Sequence, residues 1–88
     1  MDLDKLRKEI DLIDDEIISL FIQRMEVVSK VAEYKKENGI KVTQQGREDE
    51  ILKRVEKLSG EEMAPYSKEL FNKLFELSKE YQNKQSKD

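Results

Sequence analysis

Arg24, Lys35, Glu48, Ser78 and Gln82 are polar or charged residues standing where the surrounding periodicity calls for apolar ones. Two or three fixed cations, an amide, a hydroxyl and one carboxylate facing a common interior suit a small dianion that also carries a hydroxyl group. The chain has no histidine and no cysteine. An imidazole base, a thiolate nucleophile and the usual transition-metal ligands are therefore missing, and no metal site is expected. Chemistry in such a site rests on holding a substrate in a reactive shape and on donors placed where charge develops.

Each of these residues is placed inward by its spacing. Leu3, Leu6, Ile10, Ile13, Ile17, Leu20, Arg24, Val27 and Val31 recur at steps of three and four, the seam of a helix, and Arg24 interrupts it with a guanidinium. A charge taken out of water costs several kcal/mol unless it is paired, so Arg24 either meets an internal acid or waits for an anion. Lys35 follows eleven residues later, about three turns, which brings it within about 20° of Arg24 around the axis. Glu48 shares a row with Leu52 and Val55, and Ser78 and Gln82 continue the row through Phe71 and Phe75.

Taken singly, each has a plain structural explanation. Ser78 would bond its own i−4 carbonyl, Gln82 would sit at a fraying end, Lys35 would snorkel, and Arg24 would pair with Glu48. Five inward polar groups in a domain this small are harder to explain by packing alone.

The elements that carry them read as three helices. From Asp4 to about Asn38 there is no proline or glycine, and Asn38-Gly39 reads as a C-cap. That makes one helix of about 35 residues, about 52 Å long. A second apolar stripe on it, Ile18, Phe21, Met25, Val28 and Ala32, asks for more than one packing partner. A compact monomer of this length has a radius of gyration of about 12 Å, so the helix would project with its apolar seam exposed. The expected remedy is an intertwined homodimer in which the long helices pair. A helix kinked back on itself is the alternative, and nothing in the segment supplies the kink.

After a turn or extended stretch, Ile51, Leu52, Val55 and Leu58 mark a second helix over about 46–58, ending at Ser59-Gly60. A third is expected over about 65–83, opened by Pro65 at its first position and carrying Leu70, Phe71, Leu74, Phe75, Ser78, Tyr81 and Gln82. The fold class is thus all-α, one domain over residues 1–88.

Composition fits that reading. Charged residues make up 42% and hydrophobic ones 36%, with a net charge of −3. No basic stretch suggests nucleic acid, and no signal peptide, lipidation motif or 18-residue apolar run suggests a membrane. The expected setting is the cytoplasm.

The run Leu6-Arg7-Lys8-Glu9-Ile10-Asp11-Leu12-Ile13-Asp14, then Arg24, Ala32-Glu33-Tyr34-Lys35-Lys36, Val42 and Arg47-Glu48, resembles the all-α chorismate mutases. Phe71, Ser78 and Gln82 match that family's third-helix pattern, and the resemblance covers about residues 4–83. It implies the rearrangement of chorismate to prephenate, the committed step toward phenylalanine and tyrosine, with no cofactor.

By the same resemblance Arg24 and Arg7 bind the two substrate carboxylates, Arg7 reaching in from the partner subunit. Seventeen residues separate them, about 25 Å along one straight helix, so contribution from the second chain removes a conflict of distance. Lys35 and Gln82 would donate to the ether oxygen as its bond breaks, Glu48 would accept from the ring hydroxyl, and Ser78 and Arg47 would complete the carboxylate end. Gln44 stands where the family usually carries an aspartate near the ring hydroxyl, and Gly46 loosens the approach to the second helix. An isochorismate-pyruvate lyase would share this fold and pocket. A non-catalytic helical dimer, whose inward polar groups only fix pairing register, is the more distant alternative.

Overall fold

The computed structural model describes residues 2–41 and 45–86. Two helical elements make it up, α1 (Leu3–Asn38) and α2 (Gln45–Ser86), and there is no strand among the described residues. Both ends of α1 are capped by its own sequence. The Asp2 carboxylate accepts the Asp4 N–H at 3.0 Å, supplying the helix start with an acceptor and a negative charge. At the far end Gly39 takes a left-handed φ of 65°, its N–H donates to the Lys36 carbonyl, and the Ile40 N–H donates to the Lys35 carbonyl at 2.8 Å. This pair of bonds is a Schellman motif, and Lys35 and Lys36 in the last turn complement the helix dipole. No kink folds α1 back on itself.

The three-helix expectation is met in part. α2 is counted as one element, but it consists of two helices that meet at a single non-helical residue, Gly60, at φ 78° and ψ 165°. Helix resumes at once, so Pro65 lies inside α2 instead of opening the third helix. One glycine in a conformation closed to side chains replaces the multi-residue loop expected around it. The carbonyl that loses a donor to Pro65 is that of Glu61, immediately after the break.

Gly60 divides α2 into two arms, 45–59 and 61–86. Lys68 reaches Glu56 at 2.9 Å and Lys79 reaches Glu48 at 2.9 Å, contacts that close only if the second arm returns along the first. Between the arms Ile51, Val55 and Phe75 form the core, with Leu52 and Phe71 packed against it. The Phe71 and Phe75 rings meet edge to face, 6.4 Å apart at 68°. The second half of α1 lies against the second arm, where Arg24 reaches Ser78 and Gln85 donates to Ser29 at 2.6 Å.

The first half of α1 packs on nothing in its own chain. Every residue from Leu3 to Leu20 is exposed, including Ile10, Ile13 and Ile17 of the seam, each more than half accessible. Ala32 is the buried residue of α1. The radius of gyration is 16.1 Å, well above the value of about 12 Å for a compact chain of this length. The longest dimension, 55 Å, is the length of the helix. No helix among the described residues is long and apolar enough to cross a membrane.

Candidate active site

The second half of α1 and both arms of α2 enclose an open pocket of about 270 Å³. Its polar lining is Arg24, Lys35, Arg47, Glu48, Ser78, Lys79 and Gln82, and its apolar walls include Val28, Ile51 and Phe75. Six of the residues singled out from the sequence therefore line one cavity. Arg24 and Lys35 come from α1, Arg47 and Glu48 from the start of α2, and Ser78 and Gln82 from its second arm. Helical spacing explains each: Glu48 is one turn before Ile51 and Leu52, and Ser78 and Gln82 lie one and two turns after Phe75.

Arg24 donates from Nη1 to Ser78 Oγ at 2.9 Å, and Ser78 in turn donates to the Leu74 carbonyl at 2.7 Å. The i−4 bond expected of Ser78 is thus present, and it leaves the hydroxyl oxygen turned to accept from the arginine. Ser78 and Gln82 are buried, 8% and 7% exposed, so neither is a frayed surface residue. Arg24 does not pair with Glu48. Burial and, next, the proximity of Arg47 both lower its proton affinity, which means that the fold holds this cation at a cost. Arginine stays protonated at any physiological pH, so the cost is permanent until an anion offsets it.

Glu48 instead meets Lys79, Nζ to Oε2 at 2.9 Å, in a sheltered pair with the glutamate side chain 17% exposed. Lys79 is a pocket residue that the sequence reading missed, although its position, four residues after Phe75 and three before Gln82, puts it on the same helical face. Arg47 bonds Glu50 at 3.3 Å on the outside, with both side chains largely exposed. Such a pair is worth little, so Arg47 is free to turn inward toward an arriving anion.

Arg7 lies exposed in the first half of α1 and does not line the pocket of its own chain. Gln44 lies outside the described residues. Val27 and Val31 also line the pocket and are 57% and 40% exposed.

Residues 6–83 match the family described as chorismate mutase type II. The chain belongs to that family. No curated protein and no solved structure matches it. Type II chorismate mutases are all-α, as this chain is, and the match spans α1 from Leu6 onward, the whole second arm through Gln82 and every pocket residue named above.

Proposed function

We propose that this chain is a chorismate mutase, converting chorismate to prephenate on the route to phenylalanine and tyrosine. The observation that carries the reading is the meeting of Arg24, Lys35, Arg47, Glu48, Ser78 and Gln82 around one small pocket in a chain of this family. Its volume, about 270 Å³, is just below the range of about 300–1,000 Å³ usual for drug-sized ligands and suits a single-ring dianion.

The reaction is intramolecular. The ether C–O bond breaks as a new C–C bond forms, no proton is transferred, and negative charge builds on the ether oxygen. Arg24, supported by Ser78 and Arg47, holds one carboxylate. Lys35 and Gln82 are the catalytic residues, donating to the ether oxygen where the charge accumulates. Glu48 accepts from the ring hydroxyl. No metal or cofactor has a part in this scheme. The apolar walls hold the folded conformer in which the reacting carbons meet.

A homodimer belongs to the same proposal. The exposed seam from Leu3 to Leu20 and the unsheltered Val27 and Val31 support pairing with a second copy, and Arg7 of the partner subunit then reaches the second carboxylate. The test is loss of chorismate absorbance with identification of the product. Prephenate is the expected product. Chorismate consumed no faster with protein than without it overturns the reading, and pyruvate released from isochorismate would identify the lyase instead.

A further inference from the structure

We propose that Lys79 is a positioning residue for the ring-hydroxyl end of the site, holding the Glu48 carboxylate in place and cancelling its charge. The role rests on the chorismate mutase reading above. A dianion site has an electrostatic problem in Glu48. It is the one acid among the described residues lining the pocket, and its charge repels the substrate that the neighbouring cations attract.

The geometry resolves the conflict. Lys79 Nζ lies 2.9 Å from Glu48 Oε2, and the two side chains are 34% and 17% exposed. By contrast, the Arg47–Glu50 and Lys73–Glu76 pairs join neighbours on one arm and are more than half exposed at both ends. The Lys79–Glu48 contact crosses from the second arm of α2 to the first, at the pocket wall. It fixes a long, flexible glutamate from the far side of the cavity. A carboxylate offers about four lone-pair directions, so one bond to lysine leaves capacity for a hydroxyl donor. Without Lys79, the carboxylate would turn to Arg24, Lys35 or Arg47, the other cations lining the pocket, and compete with the substrate for them.

Steady-state kinetics on a double-mutant cycle test this. Lys79→Met, which keeps the stem and removes the charge, is expected to raise KM for chorismate about tenfold with kcat within about threefold. In a Glu48→Gln background, where no charge needs holding, the same substitution should change KM by less than about twofold. Lys79→Arg should restore most of the loss. Equal KM effects in both backgrounds, or no effect of Lys79→Met on the wild type, overturn the role. Circular dichroism melting checks that each variant folds, and Lys79→Gln carries the same comparison if the methionine variant does not. A wild-type protein that leaves chorismate unchanged overturns the proposed function and this role together, whereas an active wild type with an additive cycle overturns the role alone.

Discussion

Residues 3–20 and residues 24–38 belong to the same unbroken helix and have opposite fates. The second stretch supplies Arg24 and Lys35 to a pocket and packs on α2, whereas the first exposes every residue it has. Both halves carry an apolar seam of the same rhythm. Local sequence therefore explains why α1 is continuous, and it does not explain where the seam goes, because burial depends on a neighbour that one chain supplies for only one half. An exposed apolar seam supports the proposed pairing with a second copy, in which the two halves of α1 would differ in which molecule completes them.

Experiments can break or sharpen that contrast. The largest effect is expected in the packed half and the arm facing it. Lys35→Ala or Gln82→Ala should each lower kcat about 10²- to 10³-fold, about 3 to 4 kcal/mol, because both are proposed to donate to charge present only in the transition state. Stopped assays under saturating chorismate measure this, and an unchanged kcat removes the residue from the mechanism.

In the exposed half, Ile17→Asp should abolish the dimer in analytical ultracentrifugation and with it the concentration dependence of Tm. Were the seam a free surface, the same substitution would change stability by no more than about 0.5 kcal/mol. Joining the halves, inactive Arg7→Ala and Arg24→Ala chains mixed under conditions of subunit exchange should regain about a quarter of wild-type activity, since half the dimers are mixed and one of their two sites keeps both arginines. No recovery after verified exchange excludes a shared site. Gly60→Ala should act least on catalysis. It should cost about 1 to 3 kcal/mol of stability in a thermal melt through the positive φ alone, since a Cβ there meets nothing within 4 Å.

The extent and end of α1 were legible because Asn38-Gly39 states its own stop in local chemistry. The inward direction of Arg24, Glu48, Ser78 and Gln82 was legible too, because helical spacing fixes a face. Spacing does not fix what a face meets. That is why Arg24 turned out to bond Ser78, fifty-four residues away, while Glu48 bonds Lys79. Lys79 itself was hidden by composition: in a chain that is 42% charged, one more lysine beside an apolar row reads as solvated surface. Pro65 misled for a different reason. Its preference for a helix start is sound, but Gly60 makes the turn in one residue and leaves the proline five residues downstream with nothing to begin.

The cap at Gly39 reaches further than the helix it ends. The carbonyl that receives the Ile40 N–H belongs to Lys35, so the residue proposed to meet the breaking bond stands in a last turn tied down from outside the helix. Helix ends ordinarily open and close on fast timescales, and a lysine carried on such an end would spread its ammonium over a wide volume. Here the anchor holds the backbone of that turn in place. A substitution at position 39 would never touch a substrate, yet it would be felt as a catalyst whose aim has drifted.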